Sequence, residues 1–306
     1  MQLEDHIGDI LRKALIFFER EQASLVTLSG LTPEQWQQLS EHGFIQDIPP
    51  QSLPWEKIGK FFRLDPQRLQ AIAEGWLPPK LEPIPLGPVS GFHHIQTAGS
   101  TSFESDSLLN TVNSYLLANS SDRQAILFDP GWNATPTLEI IRRENLNLTH
   151  IFITHQHTDH IYALPDFLKN FPQAVLINFD YYKSAPLKPI TLFQDRLTVT
   201  PLLTPGHSRD HLCFRLCGIL PKQELMIIGD CLFSGSIGNP FYDKEKEKTS
   251  LMDIIFVGSS NTILCPGHGP LTTLKAELDH NPILSHPEWQ QRIRNNNSLS
   301  NEYHSI

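Results

Sequence analysis

The hydrophobic positions of this chain change their period near residue 90. Between residues 4 and 22 the apolar side chains Ile7, Ile10, Leu11, Ala14, Leu15 and Phe18 recur at steps of three and four, the spacing of an amphipathic helix. Thr32 followed by Pro33 marks another helix start, with Thr as cap and Pro at the first position, where no N–H is needed. Residues 55–62 and 66–76 read as two more short helices separated by Leu64 and Asp65, an order similar to a helix-turn-helix. Pro78, Pro79, Pro83, Pro85 and Pro88 then predict a stiff linker. Beyond it the pattern turns to short apolar runs of strand type, at 124–128, 148–153, 175–179, 202–203, 226–228 and 262–265. The expected organisation is an all-helical accessory domain over 1–77, a linker over 78–90 and an α/β domain over 91–306.

Four of those apolar runs end in side chains that bind metals. The run at 148–153 leads into Thr154-His155-Gln156-His157-Thr158-Asp159-His160, three imidazoles and a carboxylate within six positions. The others lead into Pro205-Gly206-His207, Gly229-Asp230 and Pro266-Gly267-His268. Imidazole nitrogen and carboxylate oxygen suit zinc, iron and manganese alike. Glycine before each later ligand relieves the backbone where a strand turns sharply. A single Gly-His or Gly-Asp is ordinary turn chemistry; the ordered series is what carries the reading.

On these residues the chain resembles the metallo-β-lactamase-fold superfamily, over about residues 92 to 285, most specifically through the His-x-His-x-Asp-His signature. The resemblance implies an αββα sandwich. It also implies two divalent metal ions, zinc first, with iron or manganese fitting as well. By position, His155, His157 and His207 would hold one ion, Asp159, His160 and His268 the other, and Asp230 would bridge them. Asp129, in the turn Asp129-Pro130-Gly131, matches an aspartate that orients the metal loop rather than binding metal. The implied chemistry is hydrolysis by metal-bound hydroxide, with Asp159 and Asp230 relaying the proton.

Branch features narrow the substrate. Asp230 stands where one large group of zinc β-lactamases carries Cys, and His157 where flavodiiron relatives carry Glu. The stretches 229–238 and 266–273, with Asn281-Pro282 after them, look like the glyoxalase II group, whose members hydrolyse thioesters. Asn239-Pro240 replaces an Arg common in that group and in persulfide dioxygenases, and only a short polar tail with Asn295-Asn296-Asn297-Ser298 follows Pro282, which disfavours glutathione as the carrier. His207-Ser208-Arg209-Asp210-His211 is instead similar to the lactamase-β-2-like branch, which includes single-strand ribonucleases and thioesterases. His211 there either orients a ligand or closes its loop onto backbone. An acyl thioester, on a small thiol or a carrier protein, is the expected substrate. A mononuclear-iron persulfide dioxygenase using His155, His207 and Asp230, a single-strand ribonuclease and a ligand-binding regulatory protein are the alternatives. Tyr182 and Tyr242, with Asn239 and Phe241, are expected near the substrate.

Charge and composition set further limits. The formal net charge is −9, which argues against nucleic-acid scavenging and against anionic membranes. Residues 1–88 carry 8 Lys or Arg against 12 Asp or Glu, a balance opposed to DNA reading. A dimerisation surface making a homodimer, a carrier-protein dock or a lid over the site fits that segment better. The start Met1-Gln2-Leu3-Glu4-Asp5 is acidic and no long apolar run follows, so a soluble cytoplasmic protein is expected. Cys213, Cys217, Cys231 and Cys265 lack metal-knuckle spacing and read as small buried hydrophobes. Residues 243–248 alternate in charge, as a solvated helix start would.

Overall fold

The structure is a computed structural model that describes residues 2–81, 91–99, 111–184, 186–218, 224–291 and 293. The linker prolines Pro83, Pro85 and Pro88 and the tail 295–298 lie outside the described residues. Five helices come first: α1 (Ile7–Phe17), α2 (Gln22–Ser29), α3 (Pro33–His42), α4 (Trp55–Phe62) and α5 (Pro66–Ala73). Thr32 caps α3 by accepting from the Gln35 N–H, while the Gln35 side chain returns a bond to the Thr32 N–H. The helix expected over 4–22 is shorter, running from Ile7 to Phe17. The chain leaves α1 after Phe17, and Glu19 takes a left-handed φ of 51° before α2 begins.

The remaining elements alternate. β1 (Gly91–Ala98), β2 (Thr111–Asn119), β3 (Gln124–Phe128), β4 (Asn147–Phe152) and β5 (Val175–Ile177) form one five-stranded sheet in that order, with α6 (Thr135–Arg143), α7 (Thr158–Ile161), α8 (Leu164–Asn170) and α9 (Phe179–Ser184) between or after its strands. The second sheet holds β6 (Ile190–Leu192), β7 (Leu197–Leu203), β8 (Leu212–Cys217), β9 (Leu225–Gly229), β12 (Ile263–Pro266) and β13 (Thr272–Thr273). The small hairpin β10 (Leu232–Phe233) and β11 (Ser236–Ile237) follows β9, and α10 (Lys244–Val257) and α11 (Leu274–His280) complete the set. Pairing is antiparallel except at β3–β4, β4–β5 and β9–β12.

Side-chain alternation along the strands divides the core into layers. Ile126 and Phe128 of β3, Phe214 and Leu216 of β8 and Leu225 and Ile227 of β9 meet between the sheets. Ala125 and Leu127 of β3 face outward onto α6 and α8 through Leu138, Ile141 and Phe167. Cys213, Met226 and Ile228 face outward on the other side, into a cluster with Leu251 and Ile254 of α10 and with Ile7, Leu11 and Phe17 of α1. The architecture is therefore the αββα sandwich, and the N-terminal helices share a core with its outer helical layer. Four buried or half-buried cysteines are free thiols. Among the described residues no helix is long and apolar enough to cross a membrane.

Candidate metal centre

The ligand-type residues gather where strands end. β4 runs out at Phe152 and delivers Thr154 to His160, with α7 starting at Thr158. β9 ends at Gly229 with φ 48°, so that Asp230 turns back into the centre. A Cβ at Gly229 would lie 2.8 Å from His211 Nε2 and from Thr154 Oγ1, and one at Gly267 would lie 2.1 Å from Asp230 Oδ1. Glycine at these two positions is a steric requirement of the site.

Two sets form. His155, His157, His207 and Asp230 place one ligand atom each within 4.8 Å of one another, and so do Asp159, His160 and His268. In the first set His157 Nδ1 is 3.0 Å from both His155 Nε2 and His207 Nε2, and His207 Nε2 is 3.4 Å from Asp230 Oδ2. In the second, His268 Nε2 is 3.2 Å and His160 Nε2 3.6 Å from Asp159 Oδ2. Asp230 stands between the sets, its Oδ1 3.3 Å from His160 Nε2 and its Oδ2 3.3 Å from His268 Nε2. Nitrogen and oxygen atoms held tetrahedrally about 2.1 Å from a single ion stand about 3.4 Å apart, so these separations suit a shared cation. His160 Nε2 and Asp230 Oδ1 are moreover buried with no hydrogen-bond partner. Such orphaned atoms are costly unless a cation satisfies them. The residues fit the two ions that the motif implies.

The far nitrogens of four rings are tied down, which fixes which atom faces the centre. His160 Nδ1 donates to Asp129 Oδ2 at 2.9 Å, His207 Nδ1 to the Asn239 carbonyl at 2.9 Å and His268 Nδ1 to the Thr111 carbonyl at 2.6 Å. His155 Nδ1 lies 3.0 Å from Thr154 Oγ1, whose hydroxyl donates to Asp129 Oδ2 at 2.7 Å. Asp129 also accepts from the Thr154 N–H at 2.8 Å, so it orients both sets without facing the centre. His211 Nε2 accepts from the Asp230 N–H at 3.1 Å, and its Nδ1 lies 2.8 Å from Thr204 Oγ1. Both ring nitrogens are used, which makes His211 the loop-closing residue that holds Asp230 in place.

Charge states follow from burial and from Asp230. Burial pushes the His155 imidazole well below its usual range and His207 down to about 3, so both present lone pairs. At His160 burial acts the same way but is outweighed by the carboxylates of Asp230 and Asp129, which raise it to about 10. His268 is raised as well, Asp230 again overcoming burial. Asp230 is held well below the carboxylate range, because His268 and His160 outweigh its own desolvation. Protons on His160 and His268 occupy the positions a cation would take, and binding must release them.

Asn113 and Glu247 act as positioning groups without any signal in the motif. Asn113 donates to the carbonyls of Pro266 and Gly269, both at 2.9 Å, and so braces the loop that carries His268. Glu247 accepts from the His207 N–H. It is wholly buried, which corrects the expectation that residues 243–248 form only a solvated helix start, although Asp243 does cap α10 from solvent. Asp210 accepts from the Gln156 N–H at 3.1 Å and ties the two histidine loops together.

A cavity of about 460 Å³ opens over the centre. Asn239 and Phe241 line it beside Phe233, but Tyr182 and Tyr242 do not. Tyr182 packs against the core between the sheets, and Tyr242 sits under the Lys246 ammonium, 4.7 Å from the ring centre. The opposite wall is Glu4, Asp5, Asp9, Arg12, Lys13 and Ile16 from the N-terminal segment, for which a lid over the site was one of the expected roles. The signal was present: residues 9, 12, 13 and 16 share the face of α1 opposite Ile7, Ile10, Leu11, Ala14 and Phe17. Burial pushes the Glu4 carboxyl up to about 7 against the pull of His268.

Comparison with known proteins places this arrangement. A family model described as the metallo-β-lactamase superfamily matches residues 109–184. The hydroxyacylglutathione hydrolase of Tolumonas auensis is 30% identical over 162 residues, covering 50% of this chain and 60% of that enzyme's length. A Bacillus subtilis protein described as the probable metallo-hydrolase YqgX is 29% identical over 201 residues, 57% of this chain and 92% of that one. The solved BLEG-1 B3 metallo-β-lactamase superposes with a TM-score of 0.51 at 26% identity, covering 64% of this chain and 100% of that one. ETHE1 from Myxococcus xanthus, at 24% identity and a TM-score of 0.50, shares the fold over 68% of this chain and 91% of its own. With the fold, the ordered ligand series and these likenesses together, the chain has the metallo-β-lactamase fold and is similar to members of that superfamily.

Proposed function

We propose that this protein is a dinuclear metal-dependent hydrolase of acyl thioesters. The observation that carries the reading is Asp230, whose two oxygens reach toward both ligand sets at once. The likeness to hydroxyacylglutathione hydrolase, on part of that enzyme's length, supports the thioester class. His155, His157 and His207 would hold one ion and Asp159, His160 and His268 the other, with Asp230 shared. Bound there, two divalent ions supply a hydroxide nucleophile near neutral pH and polarise the acyl oxygen. The chain's own contribution is orientation and proton handling. Asp159, partly open to the cavity, would take the proton given up by the attacking water on the carboxylate oxygen not committed to the ion, and hand it to the leaving thiolate. Phe233 and Phe241 give the cavity an apolar wall.

The test is hydrolysis of a panel of small-thiol acyl thioesters before metal removal, after it, and after reconstitution with zinc, iron or manganese. Turnover should vanish with the metal and return with it. The panel includes a cephalosporin, because a solved relative is a β-lactamase, and a persulfide with an oxygen electrode. Turnover confined to the cephalosporin, or oxygen uptake without thioester cleavage, would overturn the proposal.

A further inference from the structure

We propose that α1 is the substrate-selecting wall of the cavity and that Lys13 is the positioning residue that fixes it there; this rests on the thioesterase reading above. Five apolar side chains of α1 are buried in the shared core, while its other face, with Glu4 and Asp5 before it, closes the cavity opposite the ligands. Lys13 is the one long cation on that face withdrawn from water, its side chain only 6% exposed. Its ammonium donates to the Asp5 carboxylate and, at 2.7 Å, to the Ile237 carbonyl, and it lies 4.9 Å from the centre of the Phe233 ring. Phe233 in turn stands edge-on to the His268 ring at 5.7 Å.

The target of that bond is what gives Lys13 its role. Ile237 belongs to the β10–β11 hairpin directly after Asp230, and Gly238 closes the hairpin by donating to the Cys231 carbonyl. From the other side Asn281 Nδ2 holds the Ser236 carbonyl at 2.9 Å. The hairpin is thus rigid, and Lys13 bolts the helix to it. A buried ammonium keeps this position only while its carboxylate and carbonyl partners remain, so its removal loosens α1 rather than deleting one contact.

The wall's charge indicates what it admits. Lys13 is paired with Asp5 and Arg12 with Asp9, and Glu4 adds a third carboxylate 3.9 Å from His268. Both cations already have a carboxylate partner, Lys13 out of water and Arg12 at the surface, and the carboxylates outnumber them. This wall therefore disfavours a polyanionic carrier and suits an acyl thioester of a small uncharged thiol.

The experiment compares the full-length metal-loaded wild type with Lys13→Met, Asp5→Asn, the double variant, Lys13→Arg and Ile16→Trp. Two readouts are taken: the rate at which dipicolinate strips the metal, and kcat and KM on N-acetylcysteamine and coenzyme A thioesters of one acyl group. Lys13→Met should keep its metal on purification but lose it to the chelator roughly tenfold faster, with KM raised roughly tenfold and kcat changed far less. The preference for the N-acetylcysteamine thioester should narrow. The double variant should be no worse than Lys13→Met alone, because the two side chains act as one unit, and Lys13→Arg should restore most of both readouts. Ile16 is largely exposed at the cavity edge, so Ile16→Trp folds independently of the buried pair and should slow stripping while raising KM. Wild-type stripping rates and KM in Lys13→Met and Ile16→Trp, or a wild type that prefers the coenzyme A thioester, would overturn the proposal. A wild type that cleaves no thioester would overturn the function proposed above, and the stripping rates would still report on the wall.

Discussion

On the floor of the cavity four of the five imidazoles have their outer nitrogen fixed by a carboxylate, a hydroxyl or a carbonyl. On the roof, α1 is held by an apolar face and one buried ion pair. The floor is over-determined, because its ligands follow the ends of strands locked into sheets and four of the five rings are aimed by a second hydrogen bond. The roof is a helix laid across two regions more than two hundred residues apart in sequence, joined at Lys13 and Ile237. The difference separates two properties: chemistry belongs to the floor and selectivity to the roof. A floor substitution should abolish turnover on every substrate, and a roof substitution should redistribute turnover among substrates.

The sharpest way to break that division is at Asp230. Asp230→Ala removes the group common to both sets and leaves His160 without its main counter-charge. A loss of about 10³-fold or more in kcat on all thioesters is expected, with metal content reduced. Steady-state kinetics beside elemental analysis checks it. Selective loss on one substrate would place Asp230 in the wrong category.

A smaller effect is expected one layer out. Asp129→Ala frees His160 Nδ1 and the Thr154 hydroxyl together, and should weaken metal affinity by about 10- to 100-fold. Titration against a chelating dye measures this. The fold should persist, since β3 and β4 pair independently of that side chain.

Stability offers a third comparison, beneath the β10–β11 hairpin, where Glu277 accepts from the Gly235 N–H. Glu277 is fully buried and accepts from Thr272, Asn281 and the Gly235 N–H, yet burial pushes its pKa from 4.5 up to about 7. The folded state then keeps a proton that the unfolded chain gives up above 4.5. Stability from this group is complete below about 4.5 and is lost as pH rises through about 7, by up to about 3 kcal/mol. Glu277→Gln removes the titration. Urea unfolding of both proteins at pH 5 and pH 8 should therefore show the wild type losing more stability than the variant, and parallel behaviour would refute the assignment.

The smallest effect is expected at Tyr182, whose hydroxyl is buried without a partner and lies away from the cavity. Tyr182→Phe should leave KM within experimental scatter and stability unchanged or raised by up to about 1 kcal/mol. A large rise in KM would restore Tyr182 to the substrate site.

Much of the floor was legible because its ligands lie in local patterns. Strand-like runs that end in Gly-His or Gly-Asp announce both the strand and the turn, and β3 and α4 fall at the residues their periodicity predicts. The roof was legible only as helices. The spacing of residues 9, 12, 13 and 16 marks a second face on α1, but nothing local says that this face meets residue 237. The break between α1 and α2 was hidden for a related reason: Leu15 and Phe18 continue the helical spacing through the point where Glu19 turns left-handed. Glu247 was misjudged because alternating charge reads as solvated, whereas here the carboxylate is buried to hold the His207 backbone. Tyr182 and Tyr242 were placed by neighbourhood in the chain; Tyr182 lies on α9 and Tyr242 pairs with Lys246, and neither lines the cavity.

The most direct test of the central claim is the metal stoichiometry of the freshly purified protein, measured by elemental analysis beside thioester turnover. Close to two divalent ions per chain in the wild type, and fewer in Asp230→Ala together with lost turnover, is the predicted result. One iron per chain, or none, with no thioester cleavage on reconstitution would contradict it.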